Sequence, residues 1–263
     1  MTPADIQSAA LSLFQAEQSL IQTGLISLRY PGITLDQAYA VQAAFVALKG
    51  GRQVGWKIGL TSRAMQQALN ITTPDSGVLL DDMVFADGAT VPAGRFIQPR
   101  VEAEIAFVLK SPLQGASTTR ADVVAATDYV APALEILDTR ILRADPVTGR
   151  ARIITDTVSD NAANAGIVLG HQKHRIDAHD LRWVGTILKR DGVVEETGLG
   201  AGVLDDPVTG ILWLVQRLAQ YGQGLSARDI VLSGSFIRPV EAPAGSHFHA
   251  DFGSFGTVSV TFA

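Results

Sequence analysis

The sequence predicts an α+β fold, with a helix-rich N-terminal part leading into a mainly antiparallel β core. Two patterns carry this expectation. Apolar residues recur at helical spacing up to Gly50-Gly51, and from Val54 onward they mostly alternate with polar ones, as half-buried strands require. The composition fits as well. Of 263 residues, 47% are hydrophobic and 18% charged, enough for a sizeable core. The expected division is a helix-rich part over 1–75 and a β-rich core over 76–263.

The first helix is predicted over 3–23. Thr2 can cap it, Pro3 suits its first turn, and Gly24 can end it. Its apolar residues Ile6, Ala9, Ala10, Leu13, Leu20 and Ile21 fall on one side. The second runs over 35–49, capped by Thr34 and stopped by Gly50-Gly51, with Val41, Ala44, Phe45 and Leu48 as its stripe. The stretch VGWKIGLT (54–61) then alternates as a strand. Ser62 is placed to cap a short helix through Leu69, and 77–85 reads as the next strand. Further strands are expected over 101–109, 130–137, 182–189 and 228–235. Arg190-Asp191-Gly192 makes a hairpin turn. Residues 206–222 read as a helix with its cap at Asp205 or Asp206, and 249–262 closes the chain as β structure.

Several function classes are excluded early. The net charge is −5 with acids and bases scattered, which argues against a nucleic-acid surface. With no cysteine, disulfides, thiolate catalysis and Cys-ligated metals are ruled out. The N-terminus lacks the pattern of a secretory signal, and no apolar run is long enough to span a membrane, so a cytoplasmic protein is expected.

RVEAEIAFVL (100–109) sets two acids into an apolar run. In a strand, i and i+2 share a face, so Glu102 and Glu104 point the same way. Like charges side by side repel unless a cation sits between them, and carboxylates suit a hard ion such as Mg²⁺, Mn²⁺ or Ca²⁺. Glu135, between Leu134 and Ile136, supplies a third acid in a similar context. Two readings fit this spacing: a metal site, or acids on the solvent side of an antiparallel sheet.

Other candidates have local signals only. Lys57 lies between Gly55 and Gly59 on its strand face, where a ligand has room to approach; an exposed strand lysine fits equally. By itself Asp75, after Pro74, reads as a turn residue. TDTVSDNAANAG (155–166) reads as a binding loop or, preferably, a plain connection, and LSGSF (232–236) as a β-bulge or turn or a site of close backbone approach. His171, His174, His179, His247 and His249 lack ligand spacing, and GLGAG (198–202) lacks the strand and helix of a nucleotide cradle.

GWKIGLTS, TPDSGVLLDDM, IQPRVEAEIAFVL, ATDYVAPALEILDTR, DTVSDNAANAGIVLG and LSGSF occur in this order over nearly the whole chain. Together they resemble the hydratases and decarboxylases of aromatic meta-cleavage pathways, within the fumarylacetoacetase superfamily. The resemblance implies a mixed β-roll or barrel-like core with a small helix-rich N-terminal part. It implies a metal site at Glu102, Glu104 and Glu135, usually for Mg²⁺ with Mn²⁺ able to substitute. Lys57 and Asp75 are implied as the catalytic pair, with Ser235 and Asn161 near the substrate. The implied reaction is water addition to a small 2-oxo dicarboxylate of seven carbons in homoprotocatechuate breakdown, with hydration of a five-carbon dienoate or decarboxylation of a six-carbon acid as neighbouring activities. It further implies a homo-oligomer, pentameric or decameric. By location, Arg140, Arg143, Arg150 or Arg152 is expected to meet the distal carboxylate.

Overall fold

The computed structural model describes residues 1–68 and 71–263. Capping boxes start the early helices. Thr2 and Asp5 exchange hydrogen bonds at the start of α1 (Pro3–Ser19), which ends at Leu20 in left-handed conformation rather than running to 23. A single turn, α2 (Ile26–Arg29), precedes α3 (Leu35–Lys49), where Thr34 and Gln37 form the box and Gly50 ends the helix at φ 71°. Leu13 of α1 packs with Val41 and Phe45 of α3 in a core of their own, together with Val158.

Strand β1 (Gln53–Gly59), helix α4 (Arg63–Ala68) and strand β2 (Asp75–Leu80) follow. The helix expected from Ser62 is thus present to Ala68, and Leu69 lies outside the described residues. The single strand expected over 77–85 divides. A 3-10 turn at Asp81–Met83 separates β2 from β3 (Val84–Ala86). Next come β4 (Thr90–Val91), β5 (Arg100–Leu109), β6 (Leu113–Gln114), α5 (Arg120–Ala126) and β7 (Thr127–Leu137). The segment read as a plain connection forms α6 (Ile154–Ser159) and a turn before β8 (Asn164–Leu169), and most of it is buried. The turn at Asp191-Gly192, both at positive φ, joins β9 (Gly185–Arg190) to β10 (Val193–Leu199). Asp206 caps α7 (Pro207–Ala219), which stops three residues short of the expected end. Strands β11 (Gly224–Leu225), β12 (Ile230–Ser235), β13 (Val240–Glu241), β14 (His247–Asp251) and β15 (Thr257–Phe262) complete the chain.

The main sheet runs β2-β1-β12-β5-β7-β8-β3, with β13 also paired to β5. Its pairs are antiparallel except β1–β12 and β3–β8. A five-stranded sheet, β10-β9-β14-β15-β4, supplies the second layer. The helix-rich part expected over 1–75 thus delivers β1 directly into the main sheet. The sheet rolls without closing into a barrel. Its open side is clasped by side chains, because the Asn161 and Asn164 amides hydrogen-bond the Val78 backbone of β2.

The two faces of the roll differ. The outer face, with Ile105, Phe107, Leu134 and Val231, packs the main core together with residues such as Phe248 of the second sheet. On the inner face Leu79, Ala106, Ala133, Ile167 and Leu232 form a small apolar floor. No helix among the described residues is long and apolar enough to cross a membrane.

Candidate metal centre and active site

Directly next to that floor lies a charged layer. Glu102 and Glu104 leave β5 on the same face as Ala106, and Glu135 leaves β7 on the same face as Ala133. In the β5–β7 register Glu102 sits opposite Glu135, and Glu104 opposite Ala133. A ligand atom from each of the three carboxylates lies within 4.8 Å of the other two. Glu104 and Glu135 are fully buried, and Glu102 is half-buried. The solvent-facing reading of this strand therefore fails: these acids point into the roll.

Lys57 reaches the same layer from β1, two strands away from β5. Its Nζ lies 3.3 Å from Glu135 Oε1, with both side chains buried. Asp75 opens β2 and pairs with Gly59 of β1, so it is a buried strand residue and not the turn residue its local sequence indicates. Gly59 has to lack a side chain. A Cβ there would run into Asp75 Oδ1 and come within 3.0 Å of Lys57 Nζ. Gly234 is constrained too, with φ at 118° and Thr61 where its Cβ would go. Its N–H donates to Glu104 Oε2 at 2.7 Å.

Four carboxylates thus face one ammonium in a space largely sealed from water. Glu104 Oε1 and Glu135 Oε2 are buried without a hydrogen-bond donor, and Glu135 Oε1 has only the Lys57 ammonium at 3.3 Å. Such an arrangement is costly unless more positive charge enters. Burial, and then the neighbouring Glu135, push the Glu102 carboxyl up to about 8. The same two influences hold Glu104 well above the usual carboxylate range. Burial also raises Glu135 and Asp75, against the pull of Lys57. For Lys57, burial is the largest influence and favours the neutral amine. Glu135, Asp75, Glu102 and Glu104 together overcome it, so the lysine stays protonated. Three convergent carboxylates, two of them with orphaned oxygens, fit a hard divalent cation, and the all-oxygen donor set suits Mg²⁺, Mn²⁺ or Ca²⁺. No other group of three such ligands occurs among the described residues, the histidines included.

The remaining expected residues separate. Ser235 pairs with Glu104 across β12–β5, but its Oγ donates to Ile237 O at 2.8 Å. Asn161 is buried, and its amide donates to and accepts from the Val78 backbone at 2.9 and 2.8 Å. In this structure it holds β2 in place. Arg140 is also spent inside, ion-paired to Asp160 and bonded to the Asn164 carbonyl. Arg150 is exposed. Arg143 approaches Glu241 at 3.8 Å, while Arg152 donates to Thr139 Oγ1 at 2.7 Å. Sequence reasoning passed over Arg100. It shares the face of Glu102, two residues along β5, and its charge bears on that carboxyl. The i−2 spacing from Glu102 was the available signal.

Known proteins resemble this chain along nearly its whole length. The chain is 52% identical over 256 residues to 2-oxo-hept-4-ene-1,7-dioate hydratase of Escherichia coli, covering 96% of each chain. It is 39% identical to 2-keto-4-pentenoate hydratase of Paraburkholderia xenovorans (strain LB400), over 100% of this chain and 96% of that one. Among solved structures, 4-oxalocrotonate decarboxylase from Pseudomonas putida G7, complexed with magnesium and adipate, superposes with a TM-score of 0.93. It is 30% identical, with 100% of this chain and 99% of that one covered. No protein-family model matches. The rolled sheet is the fold of the fumarylacetoacetase superfamily. Within it, the chain belongs to the family of hydratases and decarboxylases that includes these relatives.

Proposed function

We propose that this chain adds water to a 2-oxo-heptene-1,7-dioate, through its dienol, to give 4-hydroxy-2-oxoheptanedioate. The observation that carries the reading is the 52% identity to a hydratase of that substrate along 96% of both chains. The residues present supply the chemistry. Glu102, Glu104 and Glu135 are the ligands for Mg²⁺, with Mn²⁺ able to substitute. When bound, the cation supplies Lewis acidity toward the 2-oxo group of the substrate.

Lys57 and Asp75 are the proton-transfer pair. Asp75, opposite Gly59 with its carboxyl raised by burial, takes the proton from C3. Lys57, kept protonated by the surrounding acids, returns one at C5. The double bond then lies in conjugation with the ketone, C4 is electrophilic, and water adds there while C3 is protonated. The apolar floor of Leu79, Ala106, Ala133, Ile167 and Leu232 limits water on the inner side. Ser235, next to Glu104, is the hydroxyl offered to the substrate carboxylate, exchanging its bond to Ile237 O. Asn161 supports the site by fixing β2.

Decarboxylation of a six-carbon 2-oxo acid is the second reading, favoured by the superposition with a decarboxylase at TM-score 0.93. Incubating the protein and Mg²⁺ with matched five-, six- and seven-carbon dienoates, while following conjugated absorbance and CO₂, separates the two. Loss of absorbance on the seven-carbon acid without CO₂ is expected. CO₂ from the six-carbon acid as the dominant product would overturn the hydratase reading.

The proposed setting is homoprotocatechuate breakdown in the cytoplasm, as a homo-oligomer of five or ten copies. Exposed Trp183, Ile187, Val193, Val194 and Leu199 cluster on or beside β9 and β10, which supports a subunit contact there. Sedimentation velocity checks the assembly.

A further inference from the structure

The proposed substrate carries a second carboxylate, and a partly buried site must meet it with a cation. Arg140 is committed to Asp160 in the interior and Arg150 is exposed. Two other guanidinium groups stand differently. We propose that Arg152 and Arg100 form a clamp for the distal carboxylate and so make this site prefer dicarboxylates. This rests on the reading that the 2-oxo acid end of the substrate lies at Glu102, Glu104 and Glu135.

The geometry supports this in three ways. First, Arg100 precedes Glu102 by two residues, on the same face of β5, so their Cα atoms are roughly 6.5–7 Å apart along the strand. From the 2-oxo carbon to the far carboxyl carbon, five zigzag bonds of about 1.5 Å span a similar length, roughly 6 Å. Second, the two arginines converge on one end of β7: Arg100 lies opposite Leu137 in the β5–β7 register, and Arg152 Nη1 donates to Thr139 Oγ1, two residues further along the chain.

Third, neither arginine is satisfied by a buried acid. Arg152 is half-buried and hydrogen-bonds the Thr139 hydroxyl, with no ion-pair partner among the described residues. Arg100 Nε is buried without a hydrogen-bond partner, and its Nη2 reaches Glu241, whose side chain is 70% exposed. An ion pair that open to water is weak, and Arg143 lies 3.8 Å from the same glutamate to retain it. The backbone fixes the second arm. The Arg152 N–H donates to Arg143 O at 2.9 Å, and Ala144 bridges Ala151, so the 143–152 segment is tied as a hairpin.

The test uses Mg²⁺-loaded protein titrated by calorimetry with 2-oxoheptanedioate and 2-oxoheptanoate, which differ only in the distal carboxylate. Wild type is expected to bind the dicarboxylate tighter by about tenfold or more. R152M and R100M should each bring that ratio close to one, R152K should restore part of it, and R150M should leave it intact. Melting temperature and Mg²⁺ titration verify that each variant is folded; R152Q replaces R152M if the latter is not. A ratio that survives in both R152M and R100M, or its absence from wild type, overturns the clamp. Wild type that shows the ratio but does not hydrate the seven-carbon dienoate overturns the hydratase reading alone and leaves the clamp standing.

Discussion

At the scale of single residues, the site depends on charges that are unfavourable unless they act together. Glu135 is opposite Glu102 and 3.3 Å from Lys57, so it touches both the metal set and the proton-transfer pair. Replacing it by glutamine removes a unit charge worth about 4 kcal/mol at 4 Å in an effective dielectric near 20. Glu135→Gln is therefore expected to weaken Mg²⁺ binding by a hundredfold or more, read by calorimetry. Lys57→Met should act differently. It removes a cation that competes with the metal for Glu135, so Mg²⁺ binding should be retained while turnover collapses. Unchanged turnover in that variant would remove Lys57 from the mechanism. The acids were legible in the sequence because strand periodicity puts Glu102 and Glu104 on one face. Which face was not legible, because an alternating pattern is the same whether the polar side looks to water or into a roll.

At the scale of elements, buried polar side chains join pieces that backbone pairing leaves apart. Asn161 bonds the Val78 backbone through both ends of its amide, and Asp160 holds Arg140 by its side chain and backbone N–H. Asn161→Ala leaves the Val78 N–H buried and unpaired while its carbonyl keeps the Asn164 amide, a cost of about 1–3 kcal/mol. The melting temperature should fall, and KM should change little if the residue acts only through β2. Asp160→Asn strands the Arg140 guanidinium, which costs about 3–5 kcal/mol by denaturant unfolding. These residues explain what sequence reading missed in TDTVSDNAANAG. A polar stretch between apolar segments looks like a surface connection, and only the fold shows that its partners are Arg140, Ser27 and Val78, far away in sequence. The helix ends were more legible, since capping boxes at Thr2 and Thr34 are local. The strand over 77–85 was not, because nothing in Leu80-Asp81-Asp82-Met83 except the acids marks the 3-10 turn that divides it.

For the whole molecule, the raised carboxyl groups couple folding to pH. An exposed glutamate in the unfolded chain ionises near 4.5, whereas Glu102 in the metal-free fold holds its proton up to about 8. Between those values the folded state binds more protons than the unfolded one, so stability falls as pH rises, by up to about 1.4 kcal/mol per pH unit for one such group. Metal-free protein should therefore melt lower at pH 8 than at pH 5.5. Mg²⁺ should raise the melting temperature more at the higher pH, because it replaces the protons it displaces. Differential scanning calorimetry with and without chelator checks this; a metal-induced rise that is independent of pH would contradict the site as described. The fold class and the order of the site segments were legible across the full length. The roll was legible only through the family resemblance, since its closure depends on side chains of β8 and its preceding turn meeting β2.

The order of strands in the sheet also bears on how the protein acquires its activity. β5 and β7 are near in sequence and can pair early, bringing Glu102, Glu104 and Glu135 together. Lys57 enters only when β1 docks in parallel against β12, across more than half the chain. An acidic strand pair is therefore expected to form before its internal counter-charge arrives. Divalent metal present during refolding should speed the late docking phase seen by stopped-flow fluorescence. The cation would then be a folding partner before it is a reagent.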